Sequence, residues 1–535
     1  MNRHLLLLAL ASAILLPFSL PNELLPSGAT LPGLVGLVPV FLMVYRSPSL
    51  KVACRYGLLF GVVSTLIGNY WLAFFGEFSF WTISGVILVY AVYNYILFGV
   101  LFVVVKGGDG FSSALRPLWI ATVWTGYEYL KSVGFLGYPW GLIAYPLARI
   151  NTIAQIAEIT GTCGLTFLAV YLNASLTELV VRRETGVALP ANGGGLGKYD
   201  KTRRFAVRHL LAVILMLLVA AGFGWWRVST LRPIGEVTFL LVQQNLDSWN
   251  PDTLSSSLGR IQELTLQGLE ATRTPVDAVV WSETSLRYPY SEDSQLFLTT
   301  PDSMPFTEFL GQIQVPLITG APMPSESVGL QETGMMNSAI LILSNGRLRG
   351  VYAKQHLVPG AERLPFRADS PILKIVEKAL GLGPTWVPGR GVNNLELPLS
   401  GGEVITLGTP ICFEDSFGRI SREMVNSGAD LLVNLTNNSW SRQESAQTQH
   451  FAASRLRTIE LRSSLVRSTN SGLSTVVNAT GVASQTLPMF EAYSRVVTVP
   501  LYGRQWTLYK LLGDWLGFLT VGLSVFVIFA QRVSR

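Results

Sequence analysis

The chain has 535 residues, of which 49% are hydrophobic and only 14% are charged, a composition far more apolar than that of ordinary soluble globular proteins. Its formal net charge of +6 reflects Lys and Arg in short loops between apolar runs, which is typical of membrane topology and argues against nucleic-acid binding. Cys54, Cys163 and Cys412 and the scattered histidines lack the spacing of a disulfide framework or a metal site, so neither a metal nor another cofactor is predicted.

Apolar stretches long enough to cross a hydrocarbon core recur through the first part of the chain and once at its end. They predict about eight transmembrane helices, near residues 4–20, 29–45, 57–76, 80–105, 116–131, 152–181, 207–226 and 510–531. The first stretch is predicted to be retained, because no small-residue cleavage site of a signal peptide follows Pro17-Phe18-Ser19-Leu20.

Lys and Arg are concentrated in alternate loops between these stretches, as in loops that face the cytoplasm. The clusters lie at residues 3, 46–55, 106–116, 182–208 and 532–535. This alternation predicts that residues 227–509 lie outside the cytoplasm, which in a bacterium is the periplasm. Within the predicted helices, Glu128 and Glu158 are candidates either for function or for hydrogen bonds between helices, and Lys131 is near enough to a helix end to snorkel.

The segment 227–509 changes character, because short apolar runs typical of strands alternate with amphipathic helical windows. The predicted strands lie at 237–242, 278–281, 339–343, 404–407, 431–435 and 474–478, and the helical windows at 254–272, 417–427 and 444–462. Strands this apolar need helices to cover the sheet, so an α/β domain is predicted. The chain is therefore divided into an N-terminal membrane domain of about seven helices (1–226), this periplasmic domain (227–509) and a C-terminal transmembrane helix (510–535).

Three reactive residues lie at the ends of predicted strands: Glu283, Lys354 and Cys412. A cysteine attacks a carbonyl as its thiolate, so it needs a base such as Glu283. A lysine ammonium such as that of Lys354 can stabilise the oxyanion that follows the attack. Taken singly, a buried cysteine is more often inert packing, and a lysine or glutamate at a strand end usually meets solvent.

The order Glu283, Lys354, Cys412 on an α/β chain resembles the Glu-Lys-Cys triad of the nitrilase (carbon-nitrogen hydrolase) superfamily. Together with the apolar helices, several further motifs resemble the apolipoprotein N-acyltransferase family over essentially the whole chain. These motifs are Gly137-Tyr138-Pro139-Trp140, Leu241-Val242-Gln243-Gln244-Asn245, Leu357-Val358-Pro359-Gly360-Ala361-Glu362, Asn434-Leu435-Thr436-Asn437-Asn438-Ser439-Trp440 and Arg467-Ser468-Thr469-Asn470.

The resemblance implies a polytopic helical membrane protein that carries a nitrilase-like αββα sandwich. It implies transfer of a fatty acyl chain from a phospholipid to the N-terminal amine of a diacylglyceryl-cysteine apolipoprotein, by a ping-pong reaction through a thioester on Cys412. Glu283 would be the general base and Lys354 the oxyanion partner. The supporting or substrate-binding residues would be Glu362, Glu414, Phe413, Trp249 and Trp440. The enzyme is expected to be a multi-pass protein of the bacterial inner membrane and a monomer.

The chain departs from the family pattern at several loop positions. Phe413 stands where tyrosine is common, Ser282 replaces a proline before Glu283, Gly360-Ala361 replaces a Phe-Gly pair, and Ser441 replaces an aromatic residue.

Two other interpretations of the function stay open. A membrane-tethered nitrilase-like amidase would use the same triad with water as acceptor, although it would not need so many helices. A non-catalytic membrane scaffold is disfavoured, because it would not need to retain all three reactive residues.

Overall fold

The computed structural model describes residues 2–107, 114–187, 196–248, 250, 257–292, 303–328, 334–363 and 386–533. The chain divides into two compact units. The helical unit contains Met1–Leu231 and Leu511–Arg535, and the two-sheet unit contains Arg232–Lys510.

The helical unit consists of α-helices joined by short turns, including two 3₁₀ segments at Tyr70–Phe74 and Gly76–Phe78. Its helices are α1 (Arg3–Ser19), α2 (Thr30–Val35), α3 (Val38–Arg46), α4 (Leu50–Gly68), α5 (Ser79–Lys106), α6 (Arg116–Ser132), α7 (Ala144–Ala148), α8 (Asn151–Ala154), α9 (Ala157–Thr160), α10 (Thr162–Val187), α11 (Leu196–Thr230) and, from the C-terminal segment, α17 (Trp515–Val533).

Among the described residues, four helices are long and apolar enough to cross a membrane: Leu50–Gly68, Ser79–Lys106, Thr162–Arg183 and Arg204–Thr230. Shorter apolar helices lie at Arg3–Ser19, Thr30–Arg46 and Trp515–Gln531. The total of about eight transmembrane helices and their orientation stay predictions.

Four of the predicted stretches, 29–45, 57–76, 152–181 and 510–531, are interrupted, and two of them show why. The stretch 29–45 is broken between α2 and α3, where Pro39 occupies the first turn of α3, a position that proline favours. The stretch 152–181 begins with short helices, and Gly161, with φ of +61°, separates α9 from α10. Hydrophobicity predicts that a segment is buried, but a single proline or glycine decides whether its helix is continuous.

Three ionisable residues singled out in the predicted helices, Glu128, Glu158 and Lys131, have partners within the helical unit. Glu128 accepts hydrogen bonds from Trp124 Nε1 (3.2 Å), the Ile143 N–H (3.0 Å) and Thr166 Oγ1 (2.7 Å), and Glu158 pairs with Arg227 at 2.8 Å. These contacts favour the interhelical hydrogen-bond interpretation of both glutamates. Lys131 does not snorkel as predicted. It is only 6% exposed, and its ammonium lies 5.1 Å from the centroid of the Tyr90 ring, a cation–π distance.

The two-sheet unit contains two mixed sheets of six strands. The first has the order β12-β1-β2-β3-β4-β5 and the second the order β11-β10-β9-β8-β7-β6. The strands are β1 (Gly235–Gln243), β2 (Ala278–Val280), β3 (Leu317–Pro324), β4 (Met335–Ile342), β5 (Leu348–Ala353), β6 (Leu395–Pro398), β7 (Val404–Gly408), β8 (Leu431–Thr436), β9 (Leu465–Thr469), β10 (Thr475–Val477), β11 (Ala483–Ser484) and β12 (Tyr493–Leu501).

Helices cover these sheets, and the sheets contact one another through several strand pairs, among them β1 with β9, β10 with β12 and β5 with β6. The helices of this unit are α12 (Ser257–Glu270), α13 (Phe306–Ile313), α14 (Gly418–Asn426), α15 (Glu444–Leu461) and α16 (Leu508–Leu512). Helix α12 packs on β1 and β12, α14 packs on β7 and β8, and α15 packs on β9. The apolar strands predicted that helices cover a sheet, and the helix, sheet, sheet, helix layering is the one that the family resemblance implied.

Candidate active site

Glu283, Lys354 and Cys412 each follow a strand. Glu283 lies just after β2, Lys354 directly after β5, and Cys412 shortly after β7. The Lys354 N–H donates to the Asn337 carbonyl at 2.8 Å, which continues the pairing of β4 with β5 beyond the end of the strand. Loops at the carboxyl ends of strands are common places for functional residues, because a rigid sheet fixes where each loop starts.

A glycine of the neighbouring strand permits the position of Glu283. A Cβ atom at Gly320, in β3, would lie 2.3 Å from the Thr284 nitrogen and 2.7 Å from the Glu283 Cα. Thr284 itself has φ of +50°, which is uncommon for a β-branched residue. The backbone of β3 therefore approaches the Glu283 loop closely, and only glycine leaves room for it.

Lys354 joins two carboxylates at the centre of the site. Its Nζ lies 2.8 Å from Glu362 Oε1 and 3.3 Å from Glu283 Oε1. Lys354 is 1% exposed, so both ion pairs are largely removed from water. The remaining carboxylate oxygens accept backbone N–H groups: Glu283 Oε2 accepts from Asn437 at 2.7 Å, and Glu362 Oε2 accepts from Val358 at 2.8 Å. The structure thus brings Glu362 together with Glu283 and Lys354.

Asn337, which the sequence analysis missed, also links the two carboxylates. Its Nδ2 donates to Glu283 Oε1 at 2.7 Å and to Glu362 Oε1 at 3.2 Å. The residue is 2% exposed and interrupts the otherwise apolar start of β4. The signal available in the sequence was a polar residue within a buried strand, β4, which comes just before the strand that leads to Lys354.

Cys412 begins a 3₁₀ turn, Cys412–Ser416, in a left-handed conformation with φ of +50°. Its carbonyl accepts a hydrogen bond from Asn434 Nδ2 at 3.2 Å, and the same amide donates to the Pro410 carbonyl at 3.0 Å. Asn434 therefore ties the segment before Cys412 to strand β8. A non-glycine residue with positive φ persists only where its surroundings hold it, and such residues cluster at functional sites.

Glu414 supports the loops around Cys412. It accepts backbone N–H groups from Ile411 (2.8 Å), Gln355 (2.7 Å) and His356 (3.0 Å), and the Tyr352 hydroxyl lies 3.0 Å from each of its oxygens. Burial raises the pKa of Glu414 to about 7, against the effect of these backbone donors. Through these bonds Glu414 connects the turn of Cys412 with the segment after Lys354.

The other predicted site residues differ in where they lie. Phe413 packs against His356 and Phe417, with ring centroids 5.7 and 4.8 Å away, so it belongs to an aromatic cluster under the turn. Trp440 is partly exposed, in the loop that follows Asn437. Trp249 lies outside the described residues.

The site favours the thiol form of Cys412. Burial raises its pKa well above the ordinary value, the charges of Glu283, Glu362 and Asp415 raise it further, and Lys354 opposes them. Burial lowers the pKa of Lys354, but Glu283 and Glu362 outweigh burial, and the net pKa is well above its ordinary range. A thiol in this environment needs a base before it can react as a thiolate, while the lysine stays a cation.

Two family models match the chain. The apolipoprotein N-acyltransferase N-terminal domain matches residues 12–175, and carbon-nitrogen hydrolase matches residues 241–501. The second match spans most of the two-sheet unit, including Glu283, Lys354, Glu362 and Cys412, so the nitrilase-like fold that the resemblance implied is confirmed.

Several relatives match nearly end to end. Apolipoprotein N-acyltransferase 2 of Treponema pallidum (strain Nichols) is 33% identical, and the match covers 98% of this chain and 93% of the relative. Apolipoprotein N-acyltransferase 2 of Treponema denticola is 32% identical, with 97% and 96% covered. Apolipoprotein N-acyltransferase of Borreliella burgdorferi is 28% identical, with 98% and 95% covered. The chain therefore belongs to the apolipoprotein N-acyltransferase family.

Proposed function

We propose that this protein moves a fatty acyl chain from a phospholipid to the N-terminal amine of a diacylglyceryl-cysteine apolipoprotein, through a thioester on Cys412. The observation that carries the proposal is the Glu283–Lys354–Glu362 cluster, whose charges act on the Cys412 thiol. The names of the end-to-end relatives support the choice of substrates. A double-displacement reaction suits two bulky substrates that use one site in turn.

In the first half-reaction, Glu283 takes the proton of the Cys412 thiol as sulfur attacks the acyl ester carbonyl. The Lys354 ammonium stabilises the oxyanion of the tetrahedral intermediate. The ester C–O bond then breaks, the lysophospholipid alkoxide receives the proton from Glu283, and the acyl group stays on sulfur. Lys354 Nζ and the Asn437 N–H hold opposite oxygens of Glu283, which orients the carboxylate for this proton transfer.

In the second half-reaction, the neutral amine of the apolipoprotein attacks the thioester carbonyl. Glu283 accepts the proton that the amine loses, and the C–S bond breaks to give the amide and the Cys412 thiolate. The proton returns from Glu283 to sulfur, so the resting thiol is restored. Lys354 again stabilises the oxyanion, and Glu362, 2.8 Å away, keeps the lysine charged and fixed.

The same proposal includes the placement of the chain. Residues 1–226 would form a membrane domain of about seven helices, residues 227–509 a periplasmic catalytic domain, and residues 510–535 a final transmembrane helix of a monomeric, multi-pass inner-membrane protein. The Lys and Arg distribution supports this orientation. A reporter enzyme that works only outside the cytoplasm should be active when it is fused within 227–509. If a reporter that works only inside the cytoplasm is active at the same position, the orientation is wrong.

The decisive experiment is mass spectrometry of the purified full-length enzyme after incubation with phospholipid alone. We expect an acyl adduct on Cys412 that neutral hydroxylamine removes and that passes to the amine of a diacylglyceryl peptide. Cys412→Ala and Cys412→Ser should be folded and should form no adduct, whereas Cys54→Ala and Cys163→Ala serve as controls that keep it. Adducts from small amides but none from phospholipid would favour the amidase alternative instead.

A further inference from the structure

A buried group of three polar side chains lies next to the nucleophile turn. It consists of Asp415, on the turn, His450, on α15, and Arg467, on β9. Asp415 and Arg467 are completely buried and His450 is 4% exposed. His450 Nε2 lies 2.8 Å from Asp415 Oδ1, and Arg467 forms an ion pair with Asp415 Oδ2. Arg467 also donates to Ser454 Oγ at 2.6 Å. We name Asp415, His450 and Arg467 the support triad.

The support triad is attached to the turn that carries Cys412, because Asp415 belongs to that turn. Arg467 Nη2 lies 3.5 Å from His450 Nδ1, and Asn434 donates to the Cys412 carbonyl from β8. Burial lowers the pKa of His450, which favours the neutral imidazole, and its Nε2–H donates to Asp415. The strained, positive-φ conformation of Cys412 is thus held by polar groups from α15 and β8.

The charges of the support triad compensate one another. Asp415 is a buried carboxylate on the same turn as the thiol, and its charge raises the pKa of Cys412. A buried charge without a partner is costly and acts over long distances, because little water screens it. The Arg467 ion pair with Asp415 Oδ2 supplies the opposite charge. It therefore limits the negative potential that a forming thiolate meets.

We propose that Asp415, His450 and Arg467 are positioning residues for the nucleophile. Asp415 orients His450, His450 holds the Cys412 turn, and Arg467 cancels the Asp415 charge so that this support does not oppose thiolate formation. The importance of the triad for acyl transfer rests on the proposed function, whereas its effect on the Cys412 thiol does not. None of the three residues takes part in bond making.

The thiol is surrounded by other charges that the test has to hold constant. These are Glu283, after β2; Lys354, after β5; Glu362, in the loop that follows; and Glu414, on the turn itself. Changing Asp415 or Arg467 leaves these groups in place. Because the two residues carry opposite charges at similar burial, the electrostatic part of their role predicts shifts of opposite sign.

The test is the pH dependence of Cys412 alkylation by iodoacetamide in the full-length enzyme, followed by mass spectrometry of the Cys412 peptide. Asp415→Asn should lower the pH midpoint and Arg467→Gln should raise it, each by about one unit. The double variant Asp415→Asn/Arg467→Gln should return close to the parent midpoint. Shifts of the same sign in both single variants, or no shift in either, would overturn the charge-balance role.

Asn is nearly isosteric with Asp, so Asp415→Asn should fold. If Arg467→Gln does not fold, the sign of the shift in the alkylation midpoint of Asp415→Asn tests the charge-balance role alone. The control is Glu396→Gln, which removes one charge of the exposed Arg349–Glu396 pair between β5 and β6. Neither residue belongs to the Cys412 turn or to the elements that carry the support triad. The control should leave the midpoint unchanged, and an equal shift in it would overturn the proposal.

His450→Gln tests the positioning role separately, because it changes no formal charge of the neutral imidazole. Thioester formation from phospholipid should slow about tenfold or more, with an unchanged alkylation midpoint. An unchanged rate of thioester formation would overturn the role of His450. If the parent enzyme forms no thioester but the opposite alkylation shifts occur, the charge balance stands and the proposed acyltransferase function fails.

Discussion

Glu283 has two opposing effects on Cys412: in the proposed reaction its carboxylate accepts the thiol proton, but its charge raises the pKa of Cys412 and so disfavours the thiolate. Glu283→Gln should therefore abolish acyl transfer while making Cys412 easier to alkylate at a given pH, with the pH midpoint of alkylation moving downward. Parallel measurements of alkylation and thioester formation check this. If both rates fall together, the carboxylate only maintains the local structure.

Alkylation of the unmodified enzyme should itself depend strongly on pH. Because burial and the neighbouring carboxylates raise the pKa of Cys412, the thiolate fraction stays small near neutrality and grows as pH rises through alkaline values. The rate of iodoacetamide modification should still be increasing above pH 9, roughly where an ordinary thiol begins to level off. A plateau below neutrality would mean that the thiolate is the resting state.

Asn337 contacts both carboxylates, so its loss should misalign them without removing any charge. Asn337→Ala should lower kcat by about tenfold to a hundredfold, since a displaced general base is inefficient, while KM for phospholipid changes little. Ser338→Ala, at the adjacent position with one long bond to the Met336 carbonyl (3.3 Å), is the matched control and should keep its activity. Equal losses in both variants would indicate general damage to β4.

Much of the site could be predicted at the level of single residues. Glu283, Lys354, Cys412 and Glu362 stand out because each is a reactive group at the end of an apolar run or in a motif. Asn337 was missed because its role depends on β4 lying beside β5, a pairing between strands that composition does not reveal. Lys131 was misjudged because the sequence does not show that Tyr90, on another helix, covers its ammonium.

Among the elements, strands and helices with clear periodicity were predicted well. Each predicted strand coincides with β1, β2, β4, β7, β8 or β10, and the helical windows correspond to α12, α14 and α15. The missed strands include β9, where Arg467, Ser468 and Thr469 face polar partners, and β12, where polar residues stand among the valines. On β9 the polar side chains bond to residues far away in the sequence, so the hydrophobic pattern that marks a strand is weak there.

Strand β3 constrains the position of Glu283, the proposed general base, through Gly320. Gly320→Ala should displace the Glu283 loop, because the new Cβ would lie 2.3 Å from the Thr284 nitrogen, and acyl transfer should fall by about tenfold or more. Gly311→Ala is the matched control: it lies on α13, and its Cβ would have no neighbour within 4 Å. That variant should gain up to about 1 kcal/mol in the free energy of unfolding and keep its activity.

The helical unit depends on a close approach between its earlier and last helices. A Cβ at Gly126, in α6, would lie 3.3 Å from the backbone of Thr520 and Val521, in α17. Small residues permit such contacts between membrane helices, so Gly126→Leu should separate the two helices and lower the thermal unfolding midpoint in detergent by several degrees. Gly222→Leu, at a position open to its surroundings, should unfold at nearly the parent temperature. Equal midpoints for the two variants would show that the contact contributes little.

This contact has a consequence for how the protein is made. The helical unit is assembled from both ends of the chain, and Trp515 Nε1 of its last segment donates to the Ile159 carbonyl at 2.8 Å. All of Arg232–Lys510 is synthesised between the two parts. At ribosomal speeds of about 5–20 residues per second, the earlier helices wait on the order of ten seconds or more for α17. During this interval the surface around Gly126 has no partner from α17, so a chaperone, an insertase or lipid has to cover it.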